Sequence, residues 1–164
     1  MLQTEGISNE VFGELLTTSG LIVDDRITWI TFSAGFDFGY LFRSITLKDL
    51  PKEEESFFYL HRMLFPRCYD VKMILRSRMP MCMAAKLRGG LQDVATQLDV
   101  KRVGSAHQAG SDALLTAHTF LKIKQQLFGD SWDRVSSSMC GQLSGLGCSF
   151  GQQSSSRQDV AVPK

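Results

Sequence analysis

Between Arg26 and Ser33 runs Ile27-Thr28-Trp29-Ile30-Thr31-Phe32, a stretch of β-branched and aromatic residues that is apolar at nearly every position. Such side chains favour the pleated backbone, and a run without polar alternation marks a strand covered on both faces. A strand of that kind needs neighbours on both sides and helices above and below, which predicts an α/β architecture.

The flanking segments supply those helices. Ser8 and Asn9 are good N-caps, and Val11, Phe12, Leu15 and Leu16 recur at helical spacing until Gly20, predicting a helix over 9–19. Gly35 permits a sharp turn after the strand, and Phe38, Tyr40, Leu41 and Phe42 predict a second helix beginning near Asp37. Pro51 and Lys52-Glu53-Glu54-Glu55 read as a helix opening, with Phe57, Phe58, Leu60 and Leu64 as its buried stripe and Pro66 as its end. Cys68-Tyr69-Asp70 suits a short second strand, followed by a helical turn from Val71 to Leu75. After Gly89-Gly90, Leu91, Val94, Ala95 and Leu98 mark another helix, and the last long one is expected from about Ser111 to Phe128. Half of the residues from Ser131 onward are Ser, Gln or Gly, so the folded part is placed at 1–130 and a polar tail at 131–164, disordered beyond about 150.

Charge and cysteine usage exclude several classes. With 18 basic against 17 acidic side chains the net charge is +1, which fits neither a basic nucleic-acid tail nor an acidic disordered chain. No apolar run approaches the roughly 18 to 20 residues that cross a bilayer, and the first ten residues lack the basic start and apolar core of a secretory signal, so an intracellular chain without membrane contact is expected. Cys68, Cys82, Cys140 and Cys148 contain no Cys-x-x-Cys pair, which suits reduced thiols better than a disulfide framework or zinc site.

Two constellations carry possible chemistry. Asp37 follows the buried strand, where α/β proteins gather functional groups, although an aspartate there also suits a helix cap. In His107-Gln108-Ala109-Gly110-Ser111-Asp112 a carboxylate able to bind a hard cation follows a histidine able to take a proton from water, with Gly110 letting both face one point. A cap with a surface histidine is the plainer reading of that spacing. Met79, Met81, Cys82 and Met83 offer soft ligands of the kind Cu(I) takes, but methionine more often packs, so a flexible apolar loop is expected. Residues 62–88 hold seven Lys or Arg and one acid, Asp70, a stretch that either tracks a phosphate backbone or forms a solvated helix face. His61 and His118 have no acidic partner at a telling spacing and read as structural, and Gly145-x-Gly147 is no phosphate loop.

In order along the chain stand Glu14-Leu15-Leu16-Thr17-Thr18-Ser19-Gly20, Trp29-Ile30-Thr31-Phe32, Gly35-Phe36-Asp37-Phe38-Gly39-Tyr40-Leu41, Phe65-Pro66-Arg67, Tyr69-Asp70-Val71-Lys72, Gly89-Gly90-Leu91 and His107-Gln108-Ala109-Gly110-Ser111-Asp112-Ala113-Leu114-Leu115-Thr116. These stretches, with Cys140-Gly141-Gln142-Leu143-Ser144-Gly145-Leu146-Gly147 as an echo of a closing segment, resemble the C-terminal half of the Pop-type deadenylases, the CCR-associated-factor nucleases of the Ccr-Not complex within the DEDD exonuclease superfamily. The resemblance implies a partial ribonuclease-H-like α/β fold lacking its first strands. It implies that Asp37 and Asp112 hold divalent metal, Mg²⁺ or Mn²⁺ in a two-metal site, that His107 is the general base of the histidine subtype, and that Asp70 supports the structure. The implied activity is stepwise release of 5′-AMP from the 3′ ends of poly(A) tails in mRNA decay.

Implied partners are poly(A) RNA, the Not scaffold, the leucine-rich-repeat deadenylase and antiproliferative adaptor proteins, in nucleus and cytoplasm including processing bodies. The chain departs from the family in having Ser33-Ala34 before Gly35 where His-Ser is usual, Phe36 for a common Tyr, and extra residues between Arg76 and Arg88. Nothing before Glu5 corresponds to the family's Asp-x-Glu motif, so the chain by itself is expected to be poorly stable and inactive or nearly so. The competing expectation is a non-catalytic paralogue that binds RNA or the Not scaffold.

Overall fold

The computed structural model describes residues 6–145. Helix α1 (Asn9–Thr18) opens at Ser8, whose side chain accepts from the Val11 N–H. Strand β1 (Trp29–Thr31) leads into α2 (Gly35–Thr46) and α3 (Glu54–Leu64), and β2 (Cys68–Asp70) into α4 (Val71–Arg76). Short helices α5 (Pro80–Ala85) and α6 (Leu91–Gln97) precede the long α7 (Ala109–Ile123), which runs through a π turn (Lys124–Phe128) and a 3₁₀ turn (Gly129–Ser131) into α8 (Trp132–Met139). Among the described residues no helix is long and apolar enough to cross a membrane.

The two strands pair in parallel, Trp29 opposite Cys68, Ile30 opposite Tyr69 and Thr31 opposite Asp70, with α2 and α3 forming the connection. Successive side chains of a strand point to opposite faces, and here they serve two cores. Cys68 packs with Phe38, Phe42, Phe57, Phe65 and Leu143, whereas Tyr69 packs with Ile74, Val94, Phe120, Ile123 and Trp132. Burial pushes the Cys68 thiol up, with the neighbouring Asp70 charge adding to the effect, and burial raises Cys82 too. Cys68, Cys82 and Cys140 are free thiols.

The structure corrects several expectations. The strand is three residues long and half-buried rather than six residues covered on both faces. Its length is set by β2, its one partner among the described residues, and by Ser33, which turns the chain at φ +65°. Gly35 is therefore not the turn; it is the first residue of α2. Helix α3 begins at Glu54, so Pro51 precedes it, and the long helix starts at Ala109 and loses α geometry after Ile123. The Met79–Met83 stretch is not the expected loop: Pro80 starts α5, and Cys82 enters the core while Met83 faces solvent.

Folded structure also continues past residue 130. Ser, Gln and Gly dominate the composition there, but Trp132, Val135 and Met139 recur at helical spacing and pack α8 onto the core. The part of the tail beyond about 150 lies outside the described residues.

Asp70 ends β2 fully buried, and its carboxylate binds three separate segments. Oδ1 accepts from the N–H groups of Ser33 (2.9 Å), Lys72 (2.9 Å) and Met73 (3.4 Å), and Oδ2 from those of Ala34 (3.1 Å) and Ser144 (2.9 Å). It caps α4, fixes the turn that starts α2, and anchors the chain after α8. The reading of Asp70 as supporting structure has this geometry as its basis.

His61 lies fully buried among aromatic rings, edge-on to Phe38 at 4.5 Å between centroids, and among the described residues neither ring nitrogen has a hydrogen-bond partner. Burial, with a smaller contribution from the Arg62 charge, lowers it from 6.5 to about 4.

Two stability outcomes follow from these groups. Asp70→Asn puts an amide where only acceptors fit, and losing two charge-assisted bonds of about 1.5 kcal/mol each predicts about 3 kcal/mol of destabilisation in urea unfolding; an unchanged midpoint would refute the anchoring role. Because the folded His61 binds its proton less readily than the unfolded one, stability present above pH 6.5 is lost as pH falls toward 4, by on the order of 3 kcal/mol. Urea midpoints measured from pH 7 to 4 should fall less steeply for His61→Leu than for the parent chain, and parallel profiles would contradict this.

Candidate functional site

Asp37 sits in the first turn of α2, just past the carboxyl end of β1, the end at which open α/β sheets place ligands. The turn at Ser33, held by Asp70, sets that position, and Gly35 N–H donates to the Ser144 carbonyl at 3.0 Å as the helix begins. The Asp37 carboxylate is exposed and makes no cap hydrogen bond, so the cap reading does not hold. It borders a groove of about 450 Å³ lined by Phe12, Trp29, Ile30, Thr31, Phe38 and Tyr40, an apolar trough with one acid in its wall.

The floor of this groove depends on a close helix contact. A side chain at Gly13 would collide with the Ser44 carbonyl oxygen, so α1 and α2 approach only because Gly13 has none. The hydroxyl of Ser44 donates to Asn9 Oδ1 at 2.6 Å across the same contact.

Asp112 occupies the first turn of α7. Gln108 rather than Asp112 is the N-cap, and the Asp112 carboxylate is held through Oδ1 by Arg102 Nη1 at 2.5 Å. Arg102 is the residue that the sequence reading missed. An arginine ten positions ahead of an aspartate, in a loop without periodic pattern, gave no signal that the two meet.

His107 is exposed and adopts φ +64°, so the backbone turn lies at His107 itself. Gly110, expected to provide it, lies inside α7 with open space beside it. Among the described residues Asp37, His107 and Asp112 do not close into a three-donor metal cluster. The donors suit a hard divalent ion in kind: both are carboxylates, and among the described residues neither Asp37 nor Asp112 Oδ2 has a hydrogen-bond partner. They fall short in number, being two where such an ion takes about six oxygens.

Of the basic stretch, Arg62, Arg67, Arg76, Arg78, Lys86 and Arg88 are exposed, and Lys72 is half-buried with its ammonium 5.7 Å from the Phe32 ring centre. His118 is exposed, and His61 belongs to the core described above.

Comparison with known proteins agrees with this layout. Residues 9–120, which include both aspartates and His107, match the family described as CAF1 family ribonuclease. The chain is 63% identical over 150 residues to "CCR4-NOT transcription complex subunit 7" of Caenorhabditis elegans, covering 92% of this chain and 48% of that protein. It is 44% identical over 145 residues to "Poly(A) ribonuclease pop2" of Schizosaccharomyces pombe, covering 88% of this chain and 41% of the relative. The chain thus spans about half the length of the curated relatives it matches.

Among solved structures, the Mg²⁺- and Mn²⁺-bound form of S. pombe Pop2p matches with a TM-score of 0.77 at 42% identity, covering 88% of this chain and 54% of that one. Yeast NOT1 MIF4G domain co-crystallized with CAF1 provides a match with a TM-score of 0.71 at 26% identity, covering 84% and 54%. With a fold similar to these structures and a family match across two thirds of its length, this chain belongs to the CAF1 family of ribonucleases.

Proposed function

We propose that this chain is the part of a poly(A)-specific 3′ exoribonuclease of a Ccr-Not-type complex that contributes two metal-binding acids, Asp37 and Asp112, and a general base, His107. The supporting observation is that the family match over 9–120 contains all three, with the two acids in the first turns of helices α2 and α7. The positive end of a helix favours a carboxylate in its ionised, ligating form. Carboxylate oxygens suit Mg²⁺ and Mn²⁺ alike, and a bound divalent ion supplies water activation and charge neutralisation at a phosphodiester. His107, exposed on its turn, is able to take the proton of the attacking water. The exposed arginines of 62–88 suit the phosphate backbone of RNA. Membership of the complex is supported by the relative named as a CCR4-NOT subunit and by the neighbour co-crystallized with a NOT1 domain. The leucine-rich-repeat deadenylase, antiproliferative adaptors and a place in both nucleus and cytoplasm belong to the same proposal.

A second reading, RNA or scaffold binding without hydrolysis, is favoured by one observation: the described residues gather no three-donor cluster. Both readings are separated by joining this chain to the half of the worm subunit 7 that it does not match and assaying 5′-labelled poly(A) with Mg²⁺. The chain by itself should shorten the RNA little, whereas the joined protein should shorten it stepwise. Asp37→Asn, Asp112→Asn and His107→Ala should each lower that rate by about 10²-fold or more. A joined protein that binds poly(A) without shortening it, or whose activity survives Asp112→Asn, would overturn the enzymatic reading.

A further inference from the structure

Arg102 is nearly buried, with 13% of its side chain exposed, yet it lies in the loop between α6 and α7. Its guanidinium spans two helices. Nε donates to Gln92 Oε1 on α6 at 2.7 Å, while Nη1 donates to Ser111 Oγ at 3.0 Å and to Asp112 Oδ1 at 2.5 Å on α7. The loop lies tight against the first turn of α7: at Gly104, φ +84°, an added Cβ would come within 3.3 Å of the Ser111 Cβ.

Stability does not explain this arrangement well. Taking a guanidinium out of water costs free energy that an ion pair with a partly exposed carboxylate offsets poorly, so such pairs are weak contributors to folding. Its geometric effect on Asp112 is larger. Here Oδ1 is tied to a planar fork that is itself fixed by Gln92, which sets the orientation of the carboxylate and, among the described residues, leaves Oδ2 without a hydrogen-bond partner.

We propose that Arg102 is a positioning residue for Asp112, holding one carboxylate oxygen so that the other is kept for a divalent cation. This rests on the reading of Asp112 as a metal-binding acid and adds a residue to it. Outer partners of ligating carboxylates affect metal affinity by 10- to 100-fold.

The test is Mn²⁺ binding by the joined protein described above, followed by the electron paramagnetic resonance signal of free Mn²⁺, with urea midpoints recorded for every variant. Arg102→Gln should weaken Mn²⁺ binding by about 10- to 100-fold. Arg102→Lys, which restores a charge at Oδ1 without the fork, should recover part of it. Gln92→Met, which touches neither Asp112 nor the charge, should weaken binding by about 3-fold or more, keeping the proposal testable if Arg102→Gln unfolds. Unchanged or tighter Mn²⁺ binding in Arg102→Gln or, where that variant unfolds, in Gln92→Met overturns the positioning role while leaving Asp112 as a ligand. A joined protein that binds no Mn²⁺, or binds it as tightly after Asp112→Asn, overturns the reading of Asp112 and the role of Arg102 with it.

Discussion

The buried carboxylate of Asp70 is the point at which the structure is joined. Five backbone N–H groups from the turn after β1, the first turn of α4 and the segment after α8 converge on its two oxygens. No neutral side chain offers so many acceptor sites, and a carboxylate buried without such donors would be costly. The strand pair is only three residues long on each side, so its ladder contributes few hydrogen bonds. Asp70 adds cross-connections where the ladder stops, and through Ser33 and Ala34 it sets where α2 begins and thus where Asp37 stands.

How much of this was legible in the sequence depended on whether the deciding interaction was local. Ser8 as a cap, the strand at Cys68-Tyr69-Asp70, the turn of helix after it and the helix after Gly90 are all decided within a few residues, and the structure has them there. Ser33 and His107 take positive φ without being glycine, so the turns fall beside Gly35 and Gly110 instead of on them. At Ser33 the cause is remote, because Asp70 accepts its N–H from 37 positions away. Helix α8 is hidden for a different reason: counting Ser, Gln and Gly averages over spacing, while Trp132, Val135 and Met139 bring that helix to the core.

The site divides along the same line. Asp37, His107 and Asp112 stand out through resemblance of whole motifs; position alone leaves Asp37 between cap and functional residue, and spacing alone favours a cap at Asp112. Their surroundings were not readable. The groove beside Asp37 exists because Gly13 lets α1 approach α2, and the restraint on Asp112 comes from a loop arginine whose reach depends on how α6 packs against α7.

The two acids therefore differ in mobility although both sit in helix first turns. Asp37 is exposed, among the described residues held by no hydrogen bond, in the wall of an apolar groove beside β1. Asp112 is held by a nearly buried guanidinium. A carboxylate that is already restrained loses little side-chain entropy on binding a cation, whereas a free one must be ordered at that moment. On the proposed reading, the acid on α7 is thus ordered within the described residues, while the acid on α2 stands free at the groove and would be ordered only on binding.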